Sequence, residues 1–428
     1  MTTPSPTPHL IPETAHRGPT KPTRVLLMVE NVSLARDVRL PKHAAALIEA
    51  GMEVTVICPR DPGNYTLPGV RVLDYPAPPE GSSKAGFVRE YLYSLAMAGT
   101  QMLRALLRGG VDIVQISSTP DIYFLLAIPL RLLGRTVIFD FKDLSPEIYS
   151  ARYHRTDGLM YRLLTWLERA SLRTAHHVVA VNGAVRDVAT ARGRVHPARV
   201  SIVGNGPRLA DIRPRPPRPE LRRGHRHLAV LAGMMGPQDG LDLAVAAIDH
   251  LVHTIGRRDC AFTFLGIGDA IPDAQRTIRE RGLEPWISFP GWVSRDELAN
   301  YLSTADIGLE PNVEGFVTPV KAMEYMAYGL PFIAFDVTET RAIAAGSAAL
   351  VPPRDVVAFA RCIDDLLAHP ERRAALGDTG RHTVEQSLAW DRQQLTYVAL
   401  VEELVAQRKA LRRPASTAHS IGAGGMWV

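Results

Sequence analysis

Residues 306–341 read Asp-Ile-Gly-Leu-Glu-Pro-Asn-Val-Glu-Gly-Phe-Val-Thr-Pro-Val-Lys-Ala-Met-Glu-Tyr-Met-Ala-Tyr-Gly-Leu-Pro-Phe-Ile-Ala-Phe-Asp-Val-Thr-Glu-Thr-Arg. The apolar run 307–309 reads as a strand, and 310–319 as a polar loop containing Gly and Pro. A short helix is predicted over 320–328; Gly329 stops it and Pro331 prevents its continuation. Residues 332–335 resume as a buried strand. A loop that opens a helix offers unpaired N–H groups and the positive end of the helix dipole. Such a loop holds an anion, for example a diphosphate. Lys321 adds a cation in the first turn, against the dipole, and broken local rules of this kind gather at functional sites. Glu324 follows one turn later on the same helix face.

Working outward, 428 residues suggest two or three domains. With 46% hydrophobic and 22% charged residues the composition is that of a soluble globular protein. The formal net charge of +5 is spread along the chain. It suits anionic small ligands or an acidic membrane surface. The sequence has no zinc spacing, RNA-binding signature or long Lys/Arg run, which argues against nucleic acid. Three cysteines, Cys58, Cys260 and Cys362, in apolar contexts argue for a reducing compartment and against a disulfide scaffold. Residues 1–22 lack the apolar core of a secretory signal, and 1–23 is expected to be a disordered tail. The longest apolar stretch, 122–139, is broken by Arg131, Gly134 and Arg135, so no membrane span is predicted. A cytoplasmic location follows, with a peripheral position at the inner membrane face as one option.

Before residue 208 the chain alternates strands and helices in the doubly wound manner. The loop after the first strand has no G-x-G-x-x-G and offers Arg36, Asp37 and Arg39 instead. These are either solvated charges near a turn or groups facing a ligand at the C-terminal end of the sheet. Two later strands end in Ser117, Thr119 and Asp121, and in Asp140, Lys142, Asp143 and Glu147. In a parallel sheet those ends face one crevice, and four acids with a Lys there suggest function for at least two. The helix 161–173 interleaves Leu163, Trp166 and Leu167 with Arg162, Arg169 and Arg173. It reads as a packed surface helix or as a contact with an anionic interface.

Residues 209–227 are Pro- and Arg-rich without apolar period, as in a semi-extended linker whose arginines are solvated. The pattern then repeats over 228–388, with glycine loops at Gly233, Gly236 and Gly240 and at Gly266 and Gly268. A terminal helix over 389–410 has a return path to the first half, and 411–428 reads as a mobile tail. The fold class is α/β, two doubly wound Rossmann-like domains facing a central cleft.

These residues carry a resemblance. Asp143-Leu-Ser-Pro-Glu147, Val203-Gly-Asn-Gly-Pro207, Gly236-Pro-Gln-Asp-Gly240, Phe289-Pro-Gly-Trp-Val293 and Lys321-Ala-Met-Glu-Tyr-Met-Ala-Tyr-Gly-Leu-Pro331 together resemble the GT-B glycosyltransferases of family GT4. The resemblance implies transfer of a sugar with retention from a UDP- or GDP-sugar, with no metal or other cofactor. It implies an acceptor domain over 24–208 and a donor domain over 228–388. Family members build cell-surface polysaccharide or glycolipid, or decorate natural products, so the acceptor is a sugar, a lipid-linked sugar or a small molecule.

The resemblance assigns Glu324 to the ribose hydroxyls, as a carboxylate suits a vicinal diol. Phe316 stands where the family has a first acid; Glu314, Glu310 and Asn312 are the nearby substitutes. Met235, Pro237 and Gln238 stand where many members carry Arg and Lys. The diphosphate is therefore assigned to amides of Gly233, Gly236, Thr318 and Val320, with Lys321 supplying charge. Gln238, Gly268, Trp292 and Val293 complete the donor side, with Trp292 expected to pack rather than stack. Ser117, Asp121, Asp143 and Glu314 are the catalytic candidates; Arg36, Arg39, Lys142 and Glu147 face the acceptor. A sugar-nucleotide 2-epimerase and a catalytically silent sugar-nucleotide-binding subunit are the alternatives.

Overall fold

The computed structural model describes residues 21–412 apart from 31, 35, 62–66, 78–83, 120 and 154. Of the tails expected at 1–23 and 411–428, residues 1–20 and 413–428 lie outside the described residues. The first sheet contains β1 (Arg24–Met28), β2 (Glu53–Pro59), β3 (Val70–Tyr75), β4 (Ile113–Ser117), β5 (Thr136–Phe141), β6 (His177–Ala180) and β7 (Val200–Ile202). The second contains β8 (His227–Met234), β9 (Cys260–Ile267), β10 (Ile287–Gly291), β11 (Ile307–Glu310), β12 (Phe332–Phe335) and β13 (Ala348–Val351). The strand orders are 3-2-1-4-5-6-7 and 10-9-8-11-12-13. Every pairing is parallel.

Helices cover both faces of each sheet, so central strands such as Val-Leu-Leu-Met in β1 are apolar without alternation. In each sheet the order reverses between two neighbours, β1 and β4 in the first and β8 and β11 in the second. The loops leaving such a pair diverge to opposite faces and open a crevice at the strands' C-terminal ends. Those loops are 29–39, 118–123, 235–240 and 311–319.

The segment joining the domains is tied to the second one. The amides of Arg215 and Arg218 donate to Ser303 Oγ (2.9 Å) and Thr304 Oγ1 (2.9 Å). Arg215 pairs with Asp296, and Arg222 with Asp306 at 2.6 Å. Of the linker arginines, all expected to be solvated, Arg215 and Arg222 instead meet acids at the ends of the helix Arg295–Thr304, while Arg213, Arg223 and Arg226 are exposed. The last helix, Trp390–Arg412, lies on the first domain: Trp390, Tyr397 and Val401 share a core with Val25 and Leu27 of β1. Tyr397 donates to Gln115 Oε1 at 2.7 Å and stacks on His43.

One ion pair fixes the rim of the first sheet. Arg39 is 2% exposed. Its Nε and Nη2 donate to Asp140 at 2.9–3.2 Å, and its Nη1 donates to the carbonyls of Val203 (2.9 Å) and Gly204 (3.3 Å). One guanidinium thus joins the chain after β1, β5 and β7. Removing one partner of a buried pair leaves the other uncompensated, at a cost of about 3–5 kcal/mol. Arg39→Met should therefore lower the unfolding free energy by about that amount in urea titration. A loss under about 1 kcal/mol would mean that the pair does not hold the rim.

Candidate functional site

The helix Val320–Ala327 projects from the second crevice, and its rotation is set by one buried ring. Tyr325 accepts from the Ala232 amide (2.9 Å) and donates to the Leu309 carbonyl (3.3 Å), clamping the helix onto β8 and β11. A side chain at Gly308 would lie 2.5 Å from this ring, so only glycine fits there. With Ala322, Met323, Tyr325 and Met326 buried, Lys321 and Glu324 share the remaining face. Gly329 ends the helix at φ +68°, a left-handed conformation that glycine tolerates.

Glu324 is half-buried and accepts no hydrogen bond from the described residues. Burial raises its proton affinity, and Arg295 and Lys42 draw it back. Lys42 comes from the first domain, where its ammonium donates to Asn205 Oδ1 (2.9 Å) and the Gly206 carbonyl (2.8 Å). Burial, and then Arg39, lower its pKa to about 7. Arg295 is exposed, with Asp211 at 3.7 Å. Neither cation stands out in the sequence, because each acts on Glu324 from a distant segment.

Lys321 differs from the sequence-based expectation. Its Nζ lies 3.2 Å from Asp239 and 3.8 Å from Glu310, and its side chain is largely buried. Burial alone would lower its pKa; Glu310 and Asp239 outweigh that and raise it. Lys321 is a charged group already flanked by two carboxylates, not a free cation awaiting a diphosphate. The other Asp239 oxygen accepts from the Gly236 amide at 2.9 Å, and the Val320 amide donates to Thr318 at 2.8 Å. Two of the four amides expected to hold an anion are therefore occupied.

The glycine loops also have packing causes. A side chain at Gly266 would strike the Gly233 carbonyl (1.8 Å), and one at Gly268 the Met235 carbonyl (2.1 Å). Gly236 is covered by Gln238, whose amide would lie 2.7 Å from an added side chain. Trp292, expected to pack, is 67% exposed, while Val293 packs into the core of the second domain.

At the rim of the first sheet most expected site charges are already paired. Arg39 holds Asp140 and is closed to a ligand. Lys142 lies 2.9 Å from Asp37; burial would raise the Asp37 carboxyl, but Lys142 and the Leu40 and Arg39 amides hold it below its usual value. Asp121 is 3% exposed and accepts from Ser145 Oγ at 2.7 Å, beneath the helix Ser145–Tyr153 rather than in the crevice. Burial raises its pKa to about 7. Glu147 accepts from Arg192 (2.5 and 2.9 Å), which also binds the fully buried Glu168. Arg36 turns to Asp61 at 2.9 Å. Ser117 is buried at the end of β4. The amides of Lys142 and Asp143 donate to Ser118 Oγ (3.0 Å each), which leaves the half-buried Asp143 carboxylate without a hydrogen bond from the described residues. Burial raises its proton affinity and Lys142 lowers it.

The domains meet around a groove of about 580 Å³ lined by Glu147, Thr156 and Tyr161 on one side and Glu314 and Phe316 on the other. Asn312 accepts from the Glu314 amide (2.9 Å) in a tight turn, and Glu310 is buried against Lys321. Of the three substitutes for the first acid, only Glu314 faces the groove. Phe316 packs on the first domain's core. Asn182 donates to the Phe316 carbonyl (3.1 Å) and Thr318 Oγ1 (2.9 Å), and Glu339 accepts from the Ala184 amide (2.8 Å). Arg152 pairs with Asp269 across the same gap. Among the described residues no group of three or more His, Cys, Asp or Glu is placed to hold a metal ion, and no helix is long and apolar enough to cross a membrane.

A family model described as glycosyl transferase 4-like domain matches residues 38–206, and one described as glycosyl transferases group 1 matches residues 226–369. The chain is 26% identical over 248 residues to an alpha-D-kanosaminyltransferase of Streptomyces kanamyceticus, covering 54% of this chain and 63% of that one. It is 27% identical over 201 residues to a GDP-mannose-dependent alpha-(1-6)-phosphatidylinositol monomannoside mannosyltransferase of Mycolicibacterium smegmatis, covering 44% and 50%. The chain therefore spans half to under two thirds of the length of these curated relatives. Among solved structures, sucrose-phosphate synthase from Thermosynechococcus elongatus superposes with a TM-score of 0.74 at 20% identity, over 90% of this chain and 100% of that one. Anabaena HepE in complex with UDP and glucose superposes with 0.68 at 14% identity, over 90% and 99%. At such identities the likeness shows the shared fold of two Rossmann-like domains.

The first crevice also holds an acid that the sequence reading passed over. Glu30 stands two residues past the end of β1, is 5% exposed, and has both oxygens without a hydrogen bond. Burial raises its pKa to about 8; Ser94 offsets part of this and Glu90 adds to it. The ordinary value is 4.5, so between these two pH values the folded chain keeps a proton that the unfolded chain releases. Stability should fall as pH rises through that window and level off above it. Glu30→Gln, which mimics the protonated form, should remove this slope, matching wild type near the lower limit and exceeding it above the upper one. Parallel pH–Tm curves for the two proteins would refute the assignment.

Proposed function

The chain belongs to the glycosyltransferases of the group 1 and 4-like type, and on that premise we propose that it moves a sugar from a UDP- or GDP-sugar to an acceptor hydroxyl with retention. The observation that carries the proposal is Glu324: a half-buried carboxylate without a hydrogen-bonded partner, at the crevice between β8 and β11. It accepts from the two ribose hydroxyls, a use for which a carboxylate has enough lone pairs. The exposed ring of Trp292 and the amides around Val293 take the base. UDP in one structural neighbour and GDP-mannose in the name of one relative support both donor classes.

The diphosphate lies at the N-terminus of the helix Val320–Ala327, beside the 235–240 loop. Arg295 is the exposed cation that answers its charge. Lys321 and the Gly236 amide join when Asp239 withdraws, so one anion replaces another. Charge developing on the departing diphosphate is stabilised there. The leaving phosphate receives the acceptor proton on the same face of the sugar, so no carboxylate pair of the glycosidase kind is needed. Ser117 and Asp143 stand on the opposite rim to position the acceptor, and Glu314 reaches it from the donor side of the groove. The reading uses no metal or other cofactor. Glycosyltransferase models over both domains favour transfer above the epimerase and the silent subunit. The acceptor is a sugar, a lipid-linked sugar or a small molecule. In the lipid-linked case the enzyme works peripherally at the cytoplasmic face of a membrane, in cell-surface polysaccharide or glycolipid assembly.

Charge-assisted hydrogen bonds contribute about 1.5–3 kcal/mol each. Glu324→Gln should therefore weaken UDP- or GDP-sugar binding about 10- to 100-fold in calorimetry, with Tm without donor little changed. Wild type should release UDP or GDP slowly when no acceptor is present. Unchanged donor affinity in the variant would remove Glu324 from the donor site, and interconversion of the free sugar nucleotide would point to the epimerase.

A further inference from the structure

Three neighbouring helices of the first domain cover one face of its sheet: Lys84–Arg108, Phe124–Leu132 and Gly158–Thr174. A side chain at Gly99 in the first would touch Leu126 in the second at 3.3 Å, and Phe124 meets Trp166 of the third edge-on at 6.0 Å. Their outward stripes form one continuous surface. The first exposes Leu92, Leu103 and Leu107 at whole-turn spacing, and the second Leu125, Ile128 and Leu132. The third exposes Leu159, Leu163 and Trp166, a stripe that begins beside Tyr161 at the mouth of the interdomain groove. Leu132 and Leu159 are 83% and 84% exposed. Most of the large apolar side chains exposed among the described residues lie between 88 and 166, so the enrichment belongs to this face.

The charges on these helices have one sign outward. Arg104 and Arg108 on the first, and Arg162, Arg169 and Arg173 on the third, are exposed. The three helices contain two acids: Glu90 is half-buried, and Glu168 is fully buried against Arg192. Asp157, an exposed acid, precedes the first turn of the third helix. Apolar residues interleaved with arginine suit the boundary of an anionic bilayer, where the chains enter the acyl region and the guanidinium groups meet lipid phosphate. A dimer through this face would set the same arginines against their own copies, and protein interface cores are depleted in charge.

We propose that this three-helix face docks on an anionic lipid bilayer and so presents the groove to an acceptor embedded in it. The docking face rests on exposure and charge alone; the lipid-linked acceptor rests on the transferase reading as well.

The experiment is flotation of the full chain with vesicles of phosphatidylcholine alone or of equimolar phosphatidylcholine and phosphatidylglycerol. Wild type should float with the anionic vesicles only, and molar salt should release much of it. Leu163→Glu with Trp166→Glu should lower partitioning at least ~10-fold, and Arg162→Glu with Arg169→Glu by a comparable factor. Both pairs should keep the wild-type donor affinity, since these side chains lie outside the donor site. Leu132→Glu, on a different helix, should repeat the loss independently of how the first pair folds. Wild type that stays with the soluble fraction, or variants that float as wild type does, would overturn the proposal. So would a dimer in light scattering that Leu163→Glu dissociates, or capture of an acidic protein by this face without lipid binding. Docking that persists while donor binding fails would overturn the transferase reading instead.

Discussion

The buried guanidinium of Arg39 is the constraint on which the first domain's rim depends. It sits where three strands end, and it satisfies a carboxylate and two carbonyls at once. Without it, Asp140 would be a buried charge and the carbonyls of 203 and 204 would lose a donor. That arrangement fixes the loop after β1, which places Asp37 against Lys142. Lys142 in turn lies beside Asp143, one of the few rim carboxylates left open. The rim is thus a relay of charges in which each pair orients the next, and the unpaired group marks where a ligand has room.

The second domain repeats the principle with the sign reversed. Lys321 is enclosed by Glu310 and Asp239, and the same Asp239 ties down the Gly236 amide. Glu310 is 1% exposed, and both of its oxygens lack a hydrogen bond. Its stability therefore depends on the field of Lys321 rather than on local donors, since an uncompensated buried carboxylate would take up a proton. Asp239 is the more replaceable partner: it is half-buried and can turn to solvent, whereas Glu310 cannot. Were Asp239 to turn away, Lys321 would keep its inner partner, so the buried acid would not be left without its counter-charge.

Much of the architecture was legible because it is written in local patterns. Apolar strand runs, glycine stops and turn residues identified two doubly wound sheets, and the strand orders agree with that reading. The helix carrying Lys321 and Glu324 was legible for the same reason. Partnership was not. Arg39 and Asp140 lie 101 residues apart, Lys142 and Asp37 105, and no local signal shows that such charges cancel. Asp121 resembled an open strand-end acid but folds beneath Ser145, because the helix Ser145–Tyr153 covers it. Gly266 and Gly268 looked like parts of a ligand loop, yet the close approach of the Gly233 and Met235 carbonyls already requires them to be small. Trp292 misled in the opposite direction: an aromatic ring was expected to find a core, and the turn after β10 points it into solvent.

The loop 311–319 joins these observations, because it belongs to both domains. Its start is set by Asn312, which folds a tight turn and presents Glu314 to the groove. Its middle crosses the gap, with Phe316 packed against the first domain's core and Asn182 holding its carbonyl and Thr318. Its end leads into the helix that carries Lys321 and Glu324. Asn182 also caps the helix Gly183–Ala191 by accepting from the Val185 amide, and Glu339 occupies the Ala184 amide of the same helix end. The positive end of a first-domain helix is therefore satisfied partly by a carboxylate of the second domain, an arrangement favoured by the helix dipole. Any change in the separation of the domains must pull on Phe316 and Thr318, and through them on the first turn of the helix Val320–Ala327. The groove and the crevice between β8 and β11 are thus bordered by one stretch of chain.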